Sequence, residues 1–457
     1  MNSLSGMNLF FFQQPTARLL SWLLAGSLLF LSLCPTAAKA SDWLYTFRPG
    51  DNLWNFTRAY LKSPGLQDKL QRYNGIAVAD YVPMGRELRI PVEWLIREPA
   101  PAKVLFLRGG AHVIHPKDPT PSALAVGDLL RIGDALVTDQ ESSATLEFAD
   151  GSRLHIQADS RLTLDTLAAY KGTGMADTRI RLQRGRVESW VIPFRGPASR
   201  YEITTPAAVT AVRGTDFRLA SSGEPAVTRS SVVEGQTELS SAGGAEVLAA
   251  GFGTLVEVGK PPLPPHPLLM PPQLNDISSS VPAMPYHLQW PAITGAQSYR
   301  IRISPAKQPE AVVMESSSQM PQLQLPKLPL GNYVLSVSGV DDLGLQGLPG
   351  RHDFTVAPLP PIPTPGEWQP NGYLRTLCWR GAGGASGHLF EVATDWEFKR
   401  VLWYTELPPE SSCVDFPPPS AGRYFGRVKV LLEGVETAFS SPRELVMSPH
   451  EFPYSHR

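Results

Sequence analysis

The sequence predicts a mainly β, multidomain chain: a small βααβ module, an all-β roll or stacked-strand solenoid, and two β-sandwiches. Three observations lead there. Apolar and polar residues alternate through most of residues 124–259, the period of a half-buried strand. A tryptophan-to-tyrosine pattern recurs with a period of about 90 residues, a spacing suited to tandem sandwiches. Helical spacing is read only between Leu53 and Tyr73.

Residues 1–40 read as a signal peptide. Arg18 is the only charge before the apolar run Leu19–Leu33, and Ala38-Lys39-Ala40 has the small-x-small pattern of a cleavage site, so the mature chain is expected to start at Ser41. The run is about 15 residues, short of the roughly 20 that a bilayer span needs; an uncleaved anchor is the alternative. Cys34 follows Leu33, where a lipoprotein signal needs a small residue. No later segment is apolar enough to span, so the rest is expected to be exported and soluble. Removing Arg18 and Lys39 takes Lys+Arg from 41 to 39 against 42 Asp+Glu. That balance gives no sign of a nucleic-acid partner. A chain of this length is too long for one core.

Two cysteines remain beyond the leader, Cys378 and Cys413. An even pair in an oxidising compartment suggests a disulfide, worth roughly 3–4 kcal/mol for a loop of this size if unstrained. Two free buried thiols are the alternative, and two cysteines alone cannot complete a four-ligand zinc site. "KPPLPPHPLLMPP" (Lys260–Pro272) and "APLPPIPTPGEWQP" (Ala357–Pro370) read as stiff polyproline spacers. A weaker break falls at Arg97–Lys103. The expected globular parts are 42–96, 104–259, 275–356 and 370–447, with linkers at 260–274 and 357–369.

In the first part, Tyr45 and Phe47 alternate with Thr46 and Arg48 as a short strand does. Pro49-Gly50 turns the chain, and Asp51 or Asn52 can cap the next helix. Leu53, Phe56 and Tyr60 recur at helical spacing, with Trp54 expected in the core beside Leu53 and a sugar platform as its alternative role. A second helix is expected from Leu66 to Tyr73, with Leu66, Leu70 and Tyr73 on one face, ended by Asn74-Gly75. Leu88 and Ile90 form a closing strand. The motifs "YTFRPGDNLW", "YNGI" and "VPMGRELRIP" over Tyr45–Pro91 resemble a LysM domain, a glycan-binding module of cell-wall proteins. Asn52 stands where that family usually has threonine, and the spacing around Ala77–Val82 is loose. The resemblance implies a peptidoglycan or N-acetylglucosamine groove built from Gly50, Asp51, Asn52, Leu53, Asn74, Gly75 and Ile76. Its two turns would form facing lips with amide groups free to grip an acetylated sugar.

In the second part, "ATLEFADGSRLHIQADSRLTL" (Ala144–Leu164) places Leu146, Phe148, Leu154, Ile156, Leu162 and Leu164 on one face, with Asp150-Gly151 as a two-residue hairpin turn. The motifs "VGDLLRIGDALVTDQESSATLEFADGSRLHI" and "ITTPAAVTAVRGTDFRL" within Leu124–Gly259 resemble the FecR domain, the periplasmic part of envelope signalling regulators. Full regulators of that family carry a sigma-factor-binding segment and a membrane helix. Neither is read here, so direct sigma-factor control is not expected to carry over. The run Thr178–Arg200 holds Arg179, Arg181, Arg184, Arg186, Arg195 and Arg200 against one acid, Glu188. It reads as a solvated strand face, with an anionic envelope polymer as the alternative partner.

In the last two parts, Trp290 precedes Tyr299-Arg-Ile-Arg-Ile by nine residues and Trp379 precedes His388-Leu-Phe-Glu-Val by nine; "LGNYVLSV" (Leu330–Val337) matches "AGRYFGRV" (Ala421–Val428). The pattern resembles fibronectin type III or related immunoglobulin-like domains, with Trp290 in the core and Cys378 and Cys413 on neighbouring strands, stapling one sheet or bridging two. No nucleophile, metal or phosphate motif is read. His112 and His115 are expected to be solvated, and Asp150 and Asp216 to sit in turns as caps. No enzyme activity, cofactor or metal is expected. The expected role is a periplasmic, wall-associated binder of peptidoglycan that presents its β domains to an envelope protein partner. A signalling accessory, an exported adhesin or matrix protein and a cryptic wall hydrolase are the alternatives.

Overall fold

The computed structural model describes residues 42–79, 82–381, 385–432 and 437–451. The expected leader and its cleavage point fall outside the described residues. Strands take 51% of the described residues and helix 6%, a mainly β architecture with four hydrophobic cores.

The N-terminal module begins with strand β1 (Asp42–Thr46), which pairs antiparallel with β2 (Glu87–Pro91), Trp43 opposite Ile90 and Tyr45 opposite Leu88. All four of these side chains are buried. Between the strands, helix α1 (Leu53–Tyr60) starts where Asn52 Oδ1 accepts the Asn55 N–H at 2.7 Å. Asn52, not Asp51, is therefore the cap. Helix α2 (Gln67–Tyr73) follows a 3-10 turn at Pro64–Leu66. Of the three residues expected on its buried face, Leu70 is fully buried and Leu66 partly so. Tyr73 instead faces solvent, its hydroxyl donating to Asp42 Oδ2 at 2.8 Å. Aromatic rings fill this core: Trp43, Tyr45, Phe56 and Tyr60 lie 4.8–6.3 Å apart by centroid.

The central body is built from two sheets. One runs in spatial order through Asp118–Ala123, Ala111–His115, Ala135–Thr138, Arg161–Tyr170, Ala176–Trp190, Arg200–Thr204, Val209–Val212, Gln236–Ser241 and Gly244–Ala249. The other runs through Leu129–Leu130, Ala102–Arg108, Ser143–Glu147, Arg153–Ile156, Ala176–Trp190, Asp216–Ser221, Val227–Glu234, Phe252–Glu257 and His266–Pro267. The long strand Ala176–Trp190 belongs to both and crosses over near Gly185. At φ +104° a Cβ there would lie 2.2 Å from Ser160 Oγ and 2.4 Å from Ser160 Cα, so this crossing requires glycine. Leu146, Phe148, Leu154, Ile156, Leu162 and Leu164 all lie in the core between the sheets. The turn at Asp150-Gly151 differs from the two-residue expectation. Phe148 N–H donates to Ser152 O and Gly151 N–H to Phe148 O, closing a three-residue loop with Gly151 at φ +88°. That is the turn-plus-bulge hairpin, whose last residue must be left-handed.

The third core joins a five-stranded sheet, ordered Ser280–Pro282, Gly350–Ala357, Gly331–Val340, Ser298–Pro305 and Met314–Ser318, to the pair Tyr286–Gln289 and Gln322–Leu325. Trp290 and Tyr299 meet edge to face at 5.7 Å within it. The fourth core repeats the plan around Trp379 and Phe390. Tyr333 donates its hydroxyl to Pro329 O at 3.0 Å and Tyr424 to Ser420 O at 2.8 Å, so the two copies share a corner as well as a motif. Cys378 and Cys413 form a disulfide between directly opposite residues of one sheet.

The Pro-rich stretches are not free spacers. His266–Pro267 pairs with Phe252–Gly253, Leu268 is buried and donates to Gly251 O at 2.8 Å, and Leu348 N–H reaches Leu269 O at 2.9 Å. This segment is a seam sewn to the central body on one side and to the first sandwich on the other. In the second stretch Thr364–Pro365 pairs with Trp379–Arg380, and Trp368 packs among Phe390 and Phe416. At Arg97–Lys103, Arg97–Pro99 pairs with Ala168–Tyr170 and Ala102 is fully buried. Proline lacks an N–H, but its carbonyl still accepts and its fixed φ suits an edge strand. Composition alone does not separate a spacer from such an edge.

Candidate functional site

The N-terminal turn is organised by Asp51. Its Oδ2 accepts the Arg48 N–H and the Tyr45 hydroxyl, each at 2.7 Å. Burial, then this hydrogen bond, push the Tyr45 phenol up to about 12. The carboxylate is thus committed to holding the turn. Gly50 sits at φ +88° with open space around its Cα, and Gly75 at φ +58° likewise.

The two turns are joined by Arg86, a residue that motif reading passed over. Its carbonyl accepts the Phe47 N–H at 2.9 Å beside the first turn, and its Nη2 donates to Asn74 O at 2.6 Å and Gly75 O at 3.3 Å in the second. The expected free amides of the second lip are turned inward. Asn74, Gly75 and Ile76 donate to Leu70 O, Arg72 O and Gln71 O at 3.0–3.2 Å. The Asn74 side chain bridges Leu70 O and the Arg89 backbone. Leu53 and Ile76 are core residues. The helix end consumes these groups because its last carbonyls need partners. What remains outward beside α1 is the first turn, Gly50 to Asn52, and the ring of Trp54. Trp54, expected in the core, is 52% exposed, with the Arg58 guanidinium 5.8 Å from its ring centroid. The buried stripe of α1 is Leu53, Phe56 and Thr57, and Trp54 lies one step round the helix from it.

The second feature is the face between the central body and the first sandwich. Glu188 is buried there, 3.3 Å from Arg218 Nε and in a short contact with Arg302 Nη1. Burial opposes its charge, but Arg302, Arg218 and His155 outweigh that and pull its carboxyl down to about 2. Beside it, buried His155 Nε2 lies 3.0 Å from Glu315 Oε1. Arg153 Nη1 lies 2.7 Å from Glu310 Oε1, and Arg218 Nη1 donates to Gly347 O at 2.8 Å. Strand alternation could place Glu188 and Arg302, but not bring them together.

Three of the other arginines of Thr178–Arg200 find acids, Arg179 and Arg200 on their own strands and Arg181 on the strand beside it. Arg179 meets Asp177 at 3.1 Å, Arg181 meets Asp165 at 2.9 Å, and Arg200 meets Glu202 at 3.5 Å. His115 and His112 are half-exposed but paired, with Asp134 at 2.7 Å and Asp139 at 3.4 Å. Asp150 caps Ser152 N–H at 2.9 Å, whereas Asp216 begins a strand opposite Trp190 and Glu234. Among the described residues no group of three or more His, Cys, Asp or Glu is placed to hold a metal ion, and no helix is long and apolar enough to cross a membrane.

No curated protein matches the sequence. Two crystal structures of a candidate anti-sigma factor from Parabacteroides distasonis are similar at 14% identity and a TM-score of 0.25, over 29% of this chain and 59% of theirs. The chain thus spans about three fifths of their length. The chicken CNTN1 FN1–FN3 domains are similar at 11% identity and a TM-score of 0.32, over 55% of this chain and 97% of that one. The family model described as FecR protein matches residues 134–238, the stretch that carries both sheets across Gly185. This part of the chain is a FecR domain.

Proposed function

We propose that this chain is an exported, non-catalytic protein of the bacterial cell envelope. Its N-terminal module holds peptidoglycan glycan, and its FecR domain with the first sandwich forms a rigid platform for an envelope protein partner. The observation that carries the glycan reading is the open turn at Gly50 next to exposed Trp54, braced by Arg86. An indole face stacks on the apolar side of a sugar ring, and N–H groups at the start of α1 can meet an acetamido carbonyl. The apolar-plus-polar mix is what a saccharide site uses.

Co-sedimentation with insoluble peptidoglycan tests it. Trp54→Ala removes an exposed ring and leaves the core intact, so it should release the chain into the supernatant without changing its melting temperature. Equal recovery of wild type and Trp54→Ala in the supernatant refutes the reading. A second reading, an envelope signalling accessory, is favoured by the FecR match at residues 134–238. Transcript changes on deletion, with wall binding intact in the purified chain, would select it.

A further inference from the structure

The face between the FecR domain and the first sandwich is electrically complete at one level and incomplete at the next. At the complete level Glu188 stands opposite Arg218, which stands opposite Ser231, Arg302 closes the group from the sandwich, and Glu315 on the adjoining sandwich strand supplies the second carboxylate. Two residues along the same strands, Arg186 stands opposite Ala220, which stands opposite Arg229. Cross-strand partners share a face, so two guanidinium groups flank a small alanine. Arg300, two residues before Arg302, joins them from the sandwich strand.

These residues line a cleft of about 380 Å³, with Gln346 and Ser298 among its polar walls and no Asp or Glu in its lining. Arg218 also lines it, but its charge is matched by Glu188. Arg229 spends its Nε on Leu343 O at 2.6 Å. The Arg186 and Arg300 guanidinium groups have no hydrogen-bond or ion-pair partner among the described residues, Glu315 acting on Arg300 only at longer range. Dehydration of its inner atoms, then the charges of Arg300 and Arg229, pull Arg186 down to about 10. An adjoining cleft of about 320 Å³ shares Arg186 and Arg300 and adds Arg108, whose Nε is buried without a partner; Glu141, Asp159, Glu188 and Glu315 line that second cleft, so the acid-free lining belongs to the first alone. Like charges gathered without a counter-charge are unfavourable unless something else neutralises them.

The geometry points to an anion-binding site in this cleft, taking a hydrophilic ligand that bears phosphate or carboxylate groups between Arg186, Arg229 and Arg300. Planar guanidinium forks match both oxyanions through paired N–H donors. The cleft is large enough for a small molecule or one unit of a polymer. The site lies apart from the N-terminal turn and does not rest on the glycan reading.

Calorimetric titration of the purified chain at low salt, with inorganic pyrophosphate in one arm and citrate in the other, tests it. One saturable site per chain is expected, and the tighter arm identifies the oxyanion. Arg186→Gln and Arg300→Gln should each weaken binding about tenfold or more, while Arg181→Gln, whose arginine is paired with Asp165, should not. Ala220→Glu supplies the missing counter-charge from within. It should abolish binding and raise the melting temperature without added anion. No saturable heat in either arm, Arg186→Gln and Arg300→Gln binding like Arg181→Gln, or a lower melting point for Ala220→Glu would overturn the proposal.

Discussion

Replacing Glu188 with glutamine keeps the shape of the side chain and removes the one negative charge between Arg218 and Arg302. The cost can be worked from the depressed carboxyl. It titrates near 2 in the fold against an ordinary value of 4.5, which at 1.36 kcal/mol per pH unit amounts to about 3 kcal/mol. Removing one partner of a buried ion pair costs about 3–5 kcal/mol by mutational precedent, so the two routes agree. The sign follows from the direction of the shift. A lowered carboxyl stabilises the fold fully above pH 4.5, and this contribution fades as the pH falls towards 2. Urea unfolding at pH 7, read by tryptophan fluorescence, should show the first transition of Glu188→Gln weakened by about 3 kcal/mol, with Trp190 reporting because Arg302 lies over its ring. Below pH 4.5 the wild-type and variant curves should converge. Adding Arg302→Gln should cost clearly less in the variant than in wild type, the mark of coupled partners. A variant that unfolds with the wild-type midpoint at pH 7, or that loses stability in parallel with wild type on acidification, refutes the argument that this buried charge locks the two domains together.

Three further outcomes follow from the packing. Gly185→Ala would place a Cβ 2.2 Å from Ser160 Oγ at a left-handed φ, so the FecR domain should lose about 3 kcal/mol or more and accumulate as insoluble protein on expression. Reducing the exposed Cys378–Cys413 bond, or Cys378→Ser with Cys413→Ser, should lower only the calorimetric transition of the last sandwich, by roughly 3–4 kcal/mol for a loop of this length. Leu268→Ala removes a buried side chain from the Pro-rich seam and should destabilise the chain by about 2–4 kcal/mol; no change in the urea midpoint would mean that this segment is a free spacer.

Much of the fold was legible because it rests on local periodicity. Leu146, Leu154 and Ile156 alternate inward whatever their partners are, Asn74-Gly75 ends a helix by backbone preference alone, and a tryptophan repeated at the same distance from a strand marks a repeated core. Errors arose where position on a surface depends on a second element. Trp54 and Leu53 are neighbours in the chain, yet the module's core takes in only Leu53. The proline stretches have spacer composition, yet strands they cannot specify lie alongside them.

The mainly β character, the pairing of Cys378 with Cys413 and the FecR segment were thus within reach of the sequence. Only the tertiary structure decided that Arg86 straps the two N-terminal turns, that Glu188 faces Arg302 from 114 residues away, and that Arg186, Arg229 and Arg300 share one cleft. The reason is physical. Strand and helix periods act over a few residues and leave a trace in spacing, whereas the electrostatics of a site depend on which charges converge, and that is set by how separate sheets pack.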